Sequence, residues 1–369
     1  MKPLKVRTRS ALSVAALSMA AAIAHGQNLD DLPVYVGKND QFGEIRIWGN
    51  QAMTNVLRMW EAGIMEGGGQ RGLRFVDTLP SGSAAIGPLY TGVADLGIMG
   101  HHVWPVEIEG FHQVFGYDPL EIAVATGSYD VPAKMPSNVI YVNKDNPLAG
   151  LTLPQLDAVF GEQRTGGWEG RNWSTRAARG PEANIRTWGG LGATGEWADK
   201  PIHVYGYDLT GSSFPFSMQR MVFGGSGKWN PGLQESVLNE VSAMYTAGPR
   251  PKQGCDELMQ RVADDRYGIG YSAIQCGRRN PGVRPVALAS RAGGPYIEPT
   301  KENFLNRSYP LIESIYVYIN RAPGQPVEPK LKEFLKYILS RQGQKAVVRD
   351  GGYLPLTADV LREQLRKLE

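Results

Sequence analysis

The 369-residue chain has only two cysteines, no apolar run approaching the ~18 residues of a membrane span, and no internal repeat. Two cysteines exclude a disulfide-dense mini-scaffold and a four-cysteine zinc site. There is no Walker-type phosphate loop, so nucleotide hydrolysis has no support. No serine stands in a G-x-S-x-G elbow followed in order by Asp and His, so no hydrolase triad is selected. What is present is ordinary globular composition, 42% hydrophobic and 20% charged, which excludes disordered and fibrous chains. The length is large for one core and favours two lobes of ~150 residues each.

Residues 1–26 combine a basic start (Lys2, Lys5, Arg7, Arg9), a short apolar stretch from Ala11 to Ala24, and a small-x-small sequence, Ala24-His25-Gly26. This pattern predicts a secretory signal peptide and a periplasmic or secreted mature protein. The signal holds four of the 39 Lys and Arg residues and none of the 36 Asp and Glu, leaving 35 basic and 36 acidic residues. The basic character belongs to the signal, and a nucleic-acid-binding reading loses its basis. An oxidising compartment permits a Cys255–Cys276 disulfide; two separate buried thiols are the alternative. Cys255 is expected to open a helix and Cys276 to end a strand.

Along the mature chain, Glu44–Gly49 alternates as a strand, and Leu57, Trp60 and Ile64 follow at helical spacing. Further strands are expected at Leu73–Val76, Ala94–Met99, Leu120–Ala125, Val139–Asn143, Ile202–Gly206, Tyr267–Ile274 and Ile315–Ile319. Helices are expected at Leu153–Phe160, after Ser213, over Pro329–Val348 and near Ala358–Lys367. Residues 161–200 read as loops in which Trp168, Trp173 and Trp188 are surface anchors or the rim of a cleft, and Asp264-Asp265 reads as a solvated helix end. The β-α-β-α-β order predicts an α/β fold with mixed, mostly parallel sheets covered by helices on both faces.

Three segments place small or hydroxyl-bearing residues just after a strand and at the start of a helix: Asn50-Gln51-Ala52 after Gly49, Ser81-Gly82-Ser83, and Thr210-Gly211-Ser212-Ser213. Helix starts offer unpaired N–H groups and partial positive charge, glycine allows close approach, and hydroxyls add donors. One such turn is an ordinary cap. Three spread over both expected lobes suggest an anion held without a formal cation.

The order of motifs resembles the periplasmic phosphate-binding proteins of ABC transporters. It runs from Ser81-Gly82-Ser83 with Gly92–Gly97 through Asn146-Pro147-Leu148, Leu151–Leu156, Phe160-Gly161, Thr210–Phe214 and Gly268–Tyr271. It continues through Tyr309-Pro310-Leu311, Tyr316–Tyr318, the Phe334–Gln344 helix and Gly352–Leu356. The resemblance implies a type 2 periplasmic-binding-protein fold, two lobes joined by crossing strands, with an oxyanion between them. It assigns ligand contacts to Asn50, Gln51, Ala52, Ser81, Gly82, Ser83, Thr210, Gly211, Ser212 and Ser213. Two departures stand out. Gly100-His101-His102 stands where the resemblance implies an Asp or a Ser-Arg, and the missing Asp carboxylate is the group that would accept the proton of hydrogen phosphate. Tyr205–Asp208 lacks the Arg that would clamp the oxyanion. His101 or His102 is the expected substitute donor, best when protonated, with His101 assigned as the ligand contact. Adjacent histidines on an extended segment point opposite ways, so the pair is not expected to ligate a metal.

The expected organisation is lobe 1 from residues 30–140 plus 305–369 and lobe 2 from 141–304. The expected function is capture of a small oxyanion, phosphate before sulfate, for an inner-membrane ABC permease, by a monomer without cofactor or catalysis. The alternatives are sensing, an envelope interaction or an organic phosphate on the same scaffold, and a secreted hydrolase or transferase.

Overall fold

A computed structural model describes residues 29–37, 40–209, 213–236 and 254–369. The expected export segment 1–26 and Thr210, Gly211 and Ser212 lie outside the described residues.

The alternating segment forms β1 (Phe42–Gly49), which buries Ile45 and Ile47. The helix after it, α1 (Thr54–Glu66), buries Val56, Leu57, Trp60 and Ile64 on one face, as their spacing dictates. The unit then repeats as β2 (Gly72–Thr78), α2 (Gly87–Tyr90), β3 (Leu96–Met99), α3 (Pro105–Phe115) and β4 (Leu120–Thr126). Helix α3 is absent from the sequence reading. Its start is marked by Pro105 at the first position and by Glu107, whose carboxylate accepts the Trp104 N–H at 2.9 Å.

The chain then crosses to a second sheet at β5 (Val139–Asn143) and continues through β6 (Gly150–Thr152), α4 (Leu153–Phe160) and the hairpin β7 (Gly167–Glu169) to β8 (Asn172–Ser174). Next come β9 (His203–Tyr207), α5 (Ser213–Met221), β10 (Gln234–Ser236), α6 (Gly254–Asp264), β11 (Gly268–Ser272) and α7 (Ile274–Arg278). After β12 (Val283–Pro285), β13 (Ala287–Ala289) and α8 (Lys301–Leu305), the chain returns at β14 (Ser314–Ile319) and ends with α9 (Pro329–Ile338), α10 (Arg341–Asp350) and α11 (Ala358–Arg366).

The two sheets share one plan: β2-β1-β3-β14-β4 and β10-β9-β11-β5-β12. Four strands of each run one way, and the strand arriving from the other sheet is inserted antiparallel beside the far edge. On β14 the pleat divides the side chains. Ile315, Val317 and Ile319 join α1, α9 and α10 on one face, whereas Tyr316 and Tyr318 join α2 and α3 on the other. The crossings are tied side by side. Gly127 N–H donates to the Glu313 carbonyl at 2.9 Å, and Glu313 N–H donates to Ser137 Oγ at 2.8 Å. The Arg307 guanidinium bonds Thr126 Oγ1 at 2.7 Å and Ser314 Oγ at 3.0 Å.

Four local expectations need correction. The expected Pro329–Val348 helix is two helices, because Ser340 starts the second one by accepting the Gly343 N–H at 3.3 Å. Cys276 lies in α7 rather than at the end of a strand; the apolar run does not reveal that the strand stops at Ser272. Trp188 is fully buried, its indole N–H on the Tyr267 carbonyl at 3.3 Å, whereas Trp168 and Trp173 are exposed and meet edge to face across the β7–β8 hairpin. Asp265 is a half-buried hub that accepts bonds from His203 Nδ1 (2.6 Å), the Tyr205 hydroxyl (2.8 Å) and the Tyr267 N–H (2.9 Å). Only Asp264 is solvated.

Cys255, at the start of α6, and Cys276 form a disulfide across a sequence separation of 21. Closing a loop of that length stabilises by about 3 kcal/mol in the chain-entropy picture. The Cys255→Ser/Cys276→Ser double variant is expected to lose about that much in urea unfolding. An unchanged midpoint and slope would mean that the bridge does not constrain the unfolded chain.

Candidate functional site

The site starts where β1 ends. A side chain on Gly49 would put its Cβ 1.8 Å from the Ile98 carbonyl oxygen, so only glycine lets β1 lie this close to β3. The next residue, Asn50, donates its N–H to that carbonyl at 3.0 Å and stays extended. Its Oδ1 accepts the Ala52 N–H at 2.8 Å, so the Asn50 amide oxygen is committed to the turn, and its Nδ2 donates to Met135 Sδ at 3.9 Å. The Ala52 carbonyl accepts Lys134 Nζ at 2.8 Å and the Tyr353 hydroxyl at 3.1 Å. Lys134, in the segment crossing between the sheets, therefore pins the turn and brings a cation beside it.

The second turn follows β2. Ser81 is extended and half-buried, Gly82 is buried and Ser83 is exposed. A Cβ built on Gly82 would lie 3.1 Å from His101 Nε2 and 3.4 Å from Asn50 Nδ2. Residues just beyond β1, β2 and β3 thus bring one donor, one bare backbone and one imidazole to a common point.

His101 is 7% exposed. Its Nδ1 lies 2.7 Å from the His102 carbonyl, which can only accept, so the ring proton is on Nδ1. Burial pushes the His101 pKa down, its bond to the His102 carbonyl opposing, and the ring is neutral at pH 7. Its Nε2 then carries a lone pair.

His102 does point elsewhere. Its Nδ1 meets Glu121 Oε2 at 3.0 Å and its Nε2 the Tyr316 hydroxyl at 2.6 Å. Glu121 also accepts the Tyr318 hydroxyl at 2.6 Å. Burial pushes the Glu121 carboxyl up, but His102, with Tyr318 and Arg220, more than offsets this and holds it down to about 2. The ring of His102 is thereby part of the framework of β4 and β14.

Helix α5 approaches from the second sheet. Its half-buried first residue, Ser213, directly follows Thr210-Gly211-Ser212 in sequence. The Phe216 ring lies 6.2 Å from His101 and 3.9 Å from Trp104, which is itself 5.6 Å from His101. Ser217 Oγ donates to Glu313 at 2.9 Å, and Asn138 Nδ2 donates to the Phe214 carbonyl at 3.0 Å, tying the helix to both crossings. A cavity of about 720 Å³ lies beside these rings, lined among others by Trp104, Glu121, Trp168, Phe216 and Arg220.

Of the expected contacts, Asn50, Gly82 and His101 are brought together. Ser81 and Ala52 are half-buried next to them in sequence, and Gln51 and Ser83 are exposed. Lys134, Asn138, Trp104 and Phe216 are missing from the sequence reading. Only Phe216 had a local signal, its place in the helix after the third turn.

Residues 138–342 match the PBP superfamily domain family. The chain is 31% identical over 368 residues to the phosphate-binding protein PstS of Pseudomonas aeruginosa, covering 98% of each. Protein SphX of Synechococcus elongatus is 22% identical over 234 residues, 62% of this chain and 56% of that one. The crystal structure of PstS from Borrelia burgdorferi shares the fold, with a TM-score of 0.50 at 14% identity over 85% of this chain and 98% of that one.

The His102–Glu121 pair has a measurable consequence. A carboxyl held below its unfolded value stabilises the fold above that value and loses this as pH falls through about 2. Acid titration followed by circular dichroism should show a loss of stability from about pH 4.5 downward that Glu121→Gln lacks. Coincident acid limbs would remove the pair from the stability of the fold.

Proposed function

The chain belongs to the PstS phosphate-binding-protein family, and on that premise we propose that it captures inorganic phosphate between its two lobes for an inner-membrane ABC permease. One observation supports this most: Asn50 Nδ2, Gly82 and His101 Nε2 meet at a point faced by Phe216 of the other lobe's helix α5. The anion would sit there, replacing its hydration with the donors of Asn50, Gln51, Ser81, Gly82 and Ser83 from one side and Thr210, Gly211, Ser212 and Ser213 from the other, while the Ala52 N–H stays on Asn50 Oδ1 and shapes the turn. Residues 30–140 with 305–369 would form one lobe, and 141–304 the other. Closing them would exclude water and strengthen every dipole aimed at the anion. Closure is then a population shift set by the ligand's preference for the closed form. Residues 1–26 would direct export to the periplasm, where the monomer loads.

A second reading has a specific support. Trp104 and Phe216 flank both His101 and the about 720 Å³ cavity, which would suit the substituent of an organic phosphate.

Equilibrium dialysis of the ligand-stripped mature protein against labelled phosphate tests the proposal. Binding at micromolar affinity or tighter is expected, with Thr210→Ala and Ser212→Ala each weakening it by about 1–3 kcal/mol. Absence of phosphate binding contradicts the reading, and unchanged affinity in both variants removes the third turn from the site.

A further inference from the structure

We propose that the cavity of about 720 Å³ between Trp104 and Trp168 is a sugar site: it holds a neutral, hydroxyl-rich ring, free or as the substituent of a phosphate monoester. The free-sugar form stands apart from the phosphate reading; the monoester form rests on that reading and deepens it.

The volume falls in the range of small-molecule pockets, ~300–1,000 Å³. Trp104, Glu121 and Tyr318 line it from the side of the first sheet, and Trp168, Phe216, Gln219 and Arg220 from the side of the second. Aromatic walls take the C–H face of a sugar ring, but they take any apolar group as well, so they do not choose the ligand by themselves. The polar groups choose it. Three carboxylates line the cavity, and each already has a cation: Asp118 has Arg171 at 2.9 Å, Glu169 has Arg176, and Glu121 has Arg220 at 3.9 Å. A cationic ligand would compete with these guanidinium groups. An anionic one would meet three carboxylates against one open guanidinium. A wholly apolar one would cover Gln219 and Arg220 without giving them partners. A neutral polyol with one apolar face meets none of these costs.

Three groups are open to its hydroxyls. The half-buried Gln219 side-chain amide has no hydrogen-bond partner among the described residues. Arg220 reaches Glu121 Oε1 only at 3.9 Å, beyond a direct hydrogen bond. Glu121 Oε2 is spent on His102 Nδ1 at 3.0 Å and the Tyr318 hydroxyl at 2.6 Å, which leaves Oε1 to accept. A ring hydroxyl set between Arg220 and Glu121 accepts from the first and donates to the second, both bonds being charge-assisted. Gln219, the residue before Arg220 on α5, meets a neighbouring hydroxyl with a donor and an acceptor of its own. Trp104 and Phe216 also flank His101, at 5.6 and 6.2 Å, so the cavity lies next to the anion point. Because both lobes line it, a sugar there favours the same lobe arrangement as the anion, and each ligand tightens the other.

Titration calorimetry of the full mature protein tests this with inorganic phosphate, with glucose, galactose and mannose, and with their 6-phosphates. A 6-phosphate that binds at least roughly tenfold tighter than inorganic phosphate identifies the ligand as a monoester. A free sugar that binds, and tightens inorganic phosphate at least roughly threefold, identifies it as the free ring. One of these two results is expected. Gln219→Ala is expected to weaken the sugar-dependent binding roughly three- to tenfold while leaving inorganic phosphate within about twofold of the wild type, and Trp168→Ala to weaken the sugar-dependent binding at least as much. No binding of any free sugar together with no gain from any 6-phosphate overturns the proposal and leaves the phosphate reading to stand or fall on the inorganic phosphate titration. A gain that survives in both variants also overturns it, since the sugar then lies elsewhere. Sugar binding without phosphate binding upholds the sugar site and sinks the phosphate reading.

Discussion

The approach of β1 to β3 at Gly49 is the constraint on which the site depends. With the Ile98 carbonyl where a side chain would begin, the strands can close only on glycine, and the Asn50 N–H completes the contact. This sets Asn50 at the end of one strand and His101 past the end of its neighbour at a spacing that lets both reach the backbone of Gly82. A larger residue at position 49 would pry the strands apart and separate Asn50 from His101. The chemistry follows from the close packing of a parallel sheet, whose strand ends and helix starts lie on one edge.

The remainder of the molecule fixes that edge relative to the second sheet. The two sheets exchange one strand each, and the crossings are cross-linked by polar groups, while Tyr129, Leu311 and Ile312 of the crossings pack into the apolar core of the second sheet. Glu313 is the most exposed to consequence among these. Burial pushes its carboxyl up, while Ser217 on α5 bonds it. The same buried residue thus joins the crossing strand to the helix that brings Phe216 against His101. Lys134 and Asn138, from the other crossing, hold the first turn and α5 respectively. On the proposed function, a ligand that draws the lobes together acts on a hinge already bonded to both halves of its site.

Much of this was legible in the sequence, and the reasons for the rest are physical. Strands with alternating or continuous apolar residues, such as Glu44–Gly49 and Val139–Asn143, were readable because burial imposes the period directly. The first two small-residue turns were readable because strand-to-helix junctions demand such residues. The break at Ser340 was hidden inside an unbroken apolar spacing, and Cys276 in an apolar run that continues past its strand. Trp188 was misplaced because a Gly- and Arg-rich context looks like surface, although the segment folds its indole inward. Lys134 and Trp104 carry no local mark; they matter only because distant strands bring Ala52 and His101 to them. The orientation of the His101 ring is set by the carbonyl of the next residue, a contact that no spacing encodes.

A crystal structure of the phosphate-bound protein tests the central claim most directly. The account requires a phosphate oxygen within about 3.2 Å of both His101 Nε2 and Asn50 Nδ2, above Gly82. Phosphate seated instead in the cavity between Trp104 and Trp168 would contradict it.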